Sequence, residues 1–401
     1  MPKRKLPDDN SKLFEALIAR INEKEDLQYF KKLTKSEQTY LLGQMTLLCD
    51  HTFDPKPKLI RLLETDIPEH YKSIVLKKML HLQEQNTSKL EEWVHAFLQI
   101  PFHACAQLPL VYNSTNQAAC SAYLNECREI LNKSTYGMEQ AKDQFLELIG
   151  KWMVNPESMG TAIALKGPMG TGKTTLIKKA LTHILKRPFA LIALGGASDG
   201  SFLTGHSYTY EGSTYGKIVD ILIQQKTSNP IIYFDELDKV SQSERGDEIV
   251  GVLTHLTDTT QNTQFHDKYF SEIDLDMSKC LFVFSYNDEN LVNPILKDRM
   301  YTIEVKGYQD SEKKIIARDF LIPELKRDYH MEDLEWKEAY TDLILKYIKE
   351  EGVRQFKRQL EKVFSRLNLL RLSGKECSCS VEQLEEWIDK PPKPSYPSFY
   401  T

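Results

Sequence analysis

The run Gly167-Pro168-Met169-Gly170-Thr171-Gly172-Lys173-Thr174, followed by Thr175, has the spacing G-x-x-x-x-G-K-[ST] that cradles phosphate groups. Glycines at these positions let backbone N–H groups close on phosphate oxygens. Lys173 then supplies a charge at the β/γ-phosphates, and the Thr174 hydroxyl is a ligand for Mg²⁺. The chemistry predicted is nucleotide binding, with ATP as the nucleotide. Further along, Ile231-Ile232-Tyr233-Phe234 is an apolar run that ends in Asp235 and Glu236. Asp235 can help hold Mg²⁺, and Glu236 can accept the proton of an attacking water. Leu281 to Tyr286 is a second such run and ends in Asn287. Its amide can orient water or meet the γ-phosphate, although alone it would serve equally as a turn residue. Arg299, within Asp298-Arg299-Met300, is either a surface ion-pair member or a finger that reaches nucleotide on a neighbouring subunit. Such fingers contribute about 10³–10⁵ in rate.

These groups need a scaffold that brings distant stretches to one edge. Thr161 to Leu165 reads as a buried strand before the glycine loop. After the loop, Leu176, Ile177, Ala180, Leu181, Ile184 and Leu185 recur at helical spacing. Strand, loop and helix together aim N–H groups and a helix N-terminus at the phosphates. Strand candidates at 161–165, 189–194, 231–234, 281–285 and 302–305 alternate with helical stretches, which predicts an α/β fold around a parallel sheet. Before them, about Ser11 to Phe102 reads as helical, with one stripe at Leu13, Phe14, Leu17, Ile18 and Ile21 and another at Leu76, Met79, Leu80 and Leu82. Beyond Gly307 the pattern is helical again, over Lys313 to Leu325, Glu338 to Lys349 and Val353 to Leu370. The end, from Pro391, is too proline-rich for helix or sheet and reads as an extended tail.

Composition narrows the class. With 41% hydrophobic and 27% charged residues, the chain is globular rather than disordered. A net charge of −5 offers no global attraction to nucleic acid, leaving only a local basic face as a route to it. No apolar run approaches the length of a membrane span, and the charged N-terminus lacks the apolar core of a signal peptide. Lys3-Arg4-Lys5 reads as a solvated tail, with a nuclear-import fragment as the other reading. Seven scattered cysteines, of which only Cys377 and Cys379 lie close together, form neither a disulfide framework nor a zinc pattern. An intracellular, cytoplasmic setting is expected, with the nucleus as the alternative.

Taken in order, the phosphate loop, Asp-Glu strand, Asn-ended strand, Asp-Arg-Met and helical region resemble an AAA+ ATPase, and more closely the Lon family of ATP-dependent proteases. Tyr136-Gly137-Met138-Glu139 is similar to that family's segment bordering the adenine. Phe234 to Lys239, then Arg245-Gly246-Asp247, resembles its Walker B region. Leu296 to Met300 with Gly307-Tyr308 looks like its arginine-finger segment, and Gly352-Val353-Arg354 matches its sensor-2 motif. Glu91-Glu92-Trp93-Val94 through Pro101 resembles the end of its N-terminal region, so the likeness covers roughly residues 75 to 390. The resemblance implies a P-loop AAA+ parallel sheet core with a helical N-terminal region and a C-terminal helical lid. It implies a homo-oligomeric ring, a hexamer, with nucleotide at subunit boundaries. Tyr136 and Gly137 would border the base, Arg299 would act in trans, and Arg354 would sense the γ-phosphate in cis.

The expected divisions are a helical N-terminal region at 1–105, a linker and helical neck at 106–131, an α/β nucleotide-binding subdomain at 132–307, a helical lid at 308–390 and a tail at 391–401. Three departures from the family stand out. No room for a Ser-Lys protease domain follows the lid, so proteolysis in cis is not expected. The N-terminal region is short. In Tyr208-Thr209-Tyr210-Glu211-Gly212, similar to the family's pore loop, Glu211 replaces an aliphatic residue, and Ser207 and Tyr208 stand where basic residues are usual. Tyr210 either grips a threaded chain or packs on its own domain.

The expected activity is Mg²⁺-dependent ATP hydrolysis by a ring that unfolds or remodels protein substrates, with a separate peptidase as a further candidate partner and no membrane partner. The alternatives are a nucleic-acid motor or loader, and a scaffold that binds ATP with slow turnover.

Overall fold

The computed structural model describes residues 24–52, 56–84, 88–102, 104–159, 162–197, 199–376 and 378–390. The stripe from Leu13 to Ile21, Thr161, Cys377 and the proline-rich end lie outside them. The chain divides into two compact units between Leu76 and Lys77. In the first, helices Lys24–Phe30, Lys35–Thr52 and Lys58–Glu64 bury Phe30, Leu42 and Leu62.

The stripe expected at Leu76, Met79, Leu80 and Leu82 is not the buried face of helix Glu69–Glu84. Leu76 and Leu80 are exposed, whereas Val75 and Lys78 are buried. Hydrophobic spacing misleads here because Lys78 has partners for its ammonium group inside. The ammonium lies 4.7 Å from the centre of the Trp93 ring and 4.6 Å from that of Tyr208, and 2.6 Å from Glu272. A lysine is buried only when its charge is met in this way.

The second unit is built on five parallel strands: β1 (Ala162–Lys166), β2 (Phe189–Ala193), β3 (Ile231–Asp235), β6 (Leu281–Tyr286) and β7 (Tyr301–Glu304). A two-stranded antiparallel ribbon, β4 (Phe265–His266) and β5 (Asp274–Leu275), lies between β3 and β6 in the chain and has no counterpart in the sequence expectations. Strand order in the main sheet is β2-β3-β6-β1-β7. Sequence pattern follows position. The central strands are apolar without interruption, and all six residues of β6 are buried. Edge strand β2 alternates, with Ala190 and Ile192 buried and Leu191 turned out. This is the expected contrast between strands covered on both faces and strands at a margin.

Two hydrophobic clusters support the site. One face of the sheet packs on helices Gln117–Ser134 and Glu139–Val154 and on the helical stretch 173–185, joining Leu131, Phe145, Ile149, Trp152, Ile177 and Leu181 to Ile163, Tyr233 and Val283. The other is the core of the C-terminal helices, where Phe356, Leu360, Val363 and Phe364 of helix Arg354–Leu372 meet Ile316, Tyr340, Ile344 and Leu384. Each large side chain so buried stabilises the fold by about 1.5–3 kcal/mol.

Candidate functional site: a phosphate cleft between sheet and lid

Strand order explains how distant residues meet. Because β6 lies between β1 and β3, whatever ends β6 stands between the glycine loop after β1 and the acids at the end of β3. Ligands in open α/β sheets bind at such carboxyl ends. A cleft of about 620 Å³ opens there, lined by Tyr136, residues 169–175, Asp235, Glu236, Asn287 and Arg354 among others. Gly137, Gly167, Pro168, Arg299 and Tyr210 are not on its wall. Gly167 and Pro168 act from behind through their carbonyls.

Lys173 is buried, and its ammonium donates to Gly167 O at 2.6 Å, Pro168 O at 2.9 Å and Asn287 Oδ1 at 3.1 Å. Burial lowers its pKa to about 8, while Asp235 and Asp238 act in the opposite direction. Thr174 Oγ1 donates to the Tyr233 hydroxyl at 3.1 Å, and burial holds that phenol neutral by pushing its pKa up to about 12.

On the acidic side, Ser285 Oγ donates to Asp235 Oδ1. The Glu236 N–H donates to the same carboxylate oxygen at 3.1 Å and reaches Ser285 Oγ at 3.4 Å. Glu236 is exposed and has φ +60°, an unusual backbone for a residue with a side chain. Such strain is tolerated where surrounding bonds enforce it, as Asp235 and Ser285 do here.

Four contributors escaped the sequence reading. Ser285, between apolar strand neighbours, gave no sign that it would bridge to the acid pair. Buried Asp238 accepts from the N–H groups of Asn287 at 3.3 Å and Asp288 at 3.2 Å, tying the turn after β3 to the end of β6. The Tyr308 hydroxyl lies 2.8 Å from Thr171 O and 3.2 Å from Tyr136 O, joining glycine loop and base-side segment. Arg358, one turn beyond Arg354, also lines the cleft, and its i, i+4 spacing was the available signal.

The lid is fastened to the glycine loop by backbone. Val353 N–H donates to Gly170 O at 3.0 Å, and the Cβ of Arg354 would come within 2.8 Å of a Cβ at Gly170. Gly170 has φ +74°, so its lack of a side chain is required twice. Arg299 stands apart, after helix Pro294–Asp298 and before edge strand β7, and pairs with Asp258 at 3.2 Å. Tyr210 is 68% exposed, whereas Tyr208 beside it is held under Lys78 and lies edge-on to Tyr269.

The cleft has polar capacity left for a ligand: Thr135 Oγ1 and the Tyr286 hydroxyl, both on its wall, are buried without a hydrogen-bond partner among the described residues. Among those residues no three His, Cys, Asp or Glu gather to hold a metal by themselves. A Mg²⁺ ion that shares nucleotide phosphates needs fewer protein ligands than that, and Thr174 with Asp235 fits the requirement. No described helix is long and apolar enough to cross a membrane.

Comparison with known proteins agrees with this geometry. Residues 163–308 match the ATPase family associated with various cellular activities (AAA). A Lon protease homolog of Acanthamoeba polyphaga mimivirus is 34% identical over 342 residues, 82% of this chain and 33% of the relative. The mitochondrial Lon protease homolog of Schizosaccharomyces pombe is 33% identical over 370 residues, 87% of this chain and 33% of the relative. Lon protease 2 of Borreliella burgdorferi is 31% identical over 346 residues, 84% of this chain and 42% of the relative. The chain thus spans about a third to two fifths of the length of these relatives. With its parallel sheet, phosphate loop and lid in the same order, it belongs to the AAA+ ATPases of the Lon family.

Proposed function

We propose that this chain is the motor module of a ring that hydrolyses ATP in a Mg²⁺-dependent reaction and uses the energy to unfold or remodel protein substrates. The observation that carries the reading is the linkage of Lys173 to Asn287, of Ser285 to Asp235, and of Asp235 to Glu236 along the ends of three adjacent strands. Residues 167–175 bind the phosphates, and Tyr136 with Gly137 borders the base. Thr174 and Asp235 hold the metal, which neutralises charge on the phosphates when bound. Glu236 takes the proton of the attacking water, and Asn287, already fixed by Lys173, orients that water. Arg354, carried on the lid next to the bond from Val353 to Gly170, senses the γ-phosphate in cis. Arg299, away from its own cleft, serves the neighbouring copy in a ring, a hexamer by family likeness.

Exposed Tyr210 is the residue proposed to touch a protein substrate. Free cysteines at 105, 120, 127, 280 and 379 favour a reducing, intracellular setting.

The test is Glu236→Gln. Removal of a general base lowers turnover by about 10²–10⁴ and leaves ATP binding intact. Hydrolysis at the parent rate would refute the assignment. Unfolded casein, rather than single-stranded DNA, should stimulate the parent ATPase, and these residues should leave casein uncleaved. Stimulation by DNA alone would replace the protein-remodelling reading with a nucleic-acid motor.

A further inference from the structure

Arg299 is gripped on two sides. Its Nη1 donates to Ile295 O at 3.1 Å, one turn back, and its Nη2 donates to Asp258 Oδ2 at 3.2 Å. Asp258 is itself fixed. It follows helix Glu244–Thr257 as the C-cap residue, and its other oxygen accepts from Thr260 N at 2.9 Å and Thr260 Oγ1 at 2.7 Å. One carboxylate oxygen therefore anchors the acid, and the other is left to face the arginine. A guanidinium carries five N–H groups. The two anchors take one from each terminal nitrogen, and each keeps a second. A pair of N–H groups on the two terminal nitrogens is what two phosphate oxygens require for a forked contact. The pair remains partly open to solvent, with the Arg299 side chain 31% exposed and that of Asp258 17% exposed.

We propose that Asp258 is a positioning residue for Arg299. It holds the guanidinium in an orientation from which the arginine meets nucleotide bound by a neighbouring copy of the chain. The inference rests on the reading of Arg299 as a finger in trans. An untethered arginine on a surface spreads over many rotamers, and few of them present the fork outward. Asp258 removes that search without consuming the N–H groups the phosphate needs. The arrangement also joins two sites. Helix Glu244–Thr257 starts shortly after the turn that carries Glu236 and ends at Asp258, a length of about 21 Å at the usual helical rise. A movement of the acid turn in one subunit is thereby delivered along a single rigid element to the arginine offered to the next.

The experiment compares Asp258→Ala, Asp258→Asn, Arg299→Ala and the Asp258→Ala/Arg299→Ala pair in the full chain, by steady-state ATPase, fluorescent-nucleotide binding and native mass. Arg299→Ala should lower kcat about 10³-fold or more. Asp258→Ala should lower kcat about ten- to a hundredfold, as expected for a misplaced group, with nucleotide affinity and assembly unchanged. Asp258→Asn keeps an acceptor oxygen and should recover most of the rate. The pair should be no slower than Arg299→Ala alone. An Asp258→Ala variant at the parent rate beside an inactive Arg299→Ala would overturn the inference and leave the finger standing. So would a pair clearly slower than Arg299→Ala, or a loss that appears only in assembly. An Arg299→Ala variant at the parent rate would instead sink the finger reading, and this inference with it.

Discussion

Helix Arg354–Leu372 reaches the phosphate loop where there is no space for a side chain, and Gly352→Ala tests what that closeness does. A methyl group at Gly352 would stand 2.1 Å from Met169 O and 2.7 Å from the Gly170 carbonyl carbon. Close carbon–oxygen contacts are about 3.3 Å, so loop and lid must part by roughly 1 Å. Neither obstructing atom belongs to a flexible side chain that could turn away. The bond from Val353 N–H to Gly170 O, 3.0 Å long, would open to about 4 Å and cease to exist. Loss of a bond of this kind costs about 1 kcal/mol, and up to about 3 kcal/mol if the partner groups stay dry. If nucleotide binds only to the closed arrangement, that range weakens ATP binding about five- to 150-fold. Titration with a fluorescent ATP analogue measures the affinity, and thermal melting reports the fold. Gly150→Ala is the matched control, because a methyl there, in helix Glu139–Val154, meets nothing within 4 Å. It should leave affinity unchanged and raise stability by about 0.5–1 kcal/mol. Parent-like binding and melting in Gly352→Ala would refute the argument that lid and loop are locked together by contact of their backbones.

Two more predictions follow from buried charge. Asp267 is fully buried and accepts from Gly216 N at 2.8 Å and Tyr269 N at 2.9 Å, and burial outweighs these donors to push its pKa up to about 7. Raised above its ordinary value, this acid holds more proton in the folded than in the unfolded chain between about pH 4 and 7. Its contribution is full at the acidic end and is lost as pH rises to 7, by at most about 1.4 kcal/mol per pH unit. The stability difference between parent and Asp267→Asn in urea should therefore shift against the parent from pH 5 to pH 7.5. A difference independent of pH would contradict the burial argument. Lys78→Met keeps the apolar stem and removes the charge that Trp93 and Tyr208 face, for a loss of about 1–2 kcal/mol. Hydrogen exchange across 206–214 should speed up while ATP affinity holds, and unchanged exchange there would dismiss the clamp.

Local signals carried most of the nucleotide site and the sheet. The uninterrupted apolar runs of β1, β3 and β6 and the spacing of residues 167–174 are contiguous in sequence, so periodicity and motif could reveal them. The supporting residues were hidden because their partners are remote: Ser285 and Asp235 are 50 residues apart, and Lys78 and Tyr208 are 130 apart. A lysine on an apolar face or a serine in a strand has no local signature of the partner that makes it favourable there. Ribbon β4–β5 was missed for a related reason. Two residues per strand are too few for alternation to register.

Tyr208 and Tyr210 lie two residues apart and are mechanically unlike. The first is pinned between Lys78 and Tyr269, and the next residue's carbonyl, Thr209 O, receives Lys89 Nζ at 3.4 Å. The second projects into solvent from a turn closed by its own N–H to Ser207 O at 3.1 Å. A pull on Tyr210 thus meets a short, stiff arm with its pivot at Tyr208. Force applied at the tip is passed to the helices that carry Lys78 and Lys89 before the loop can stretch. Compliance in this loop is set by residues more than a hundred positions upstream, so its working stroke can be altered without touching the nucleotide cleft or the tip itself.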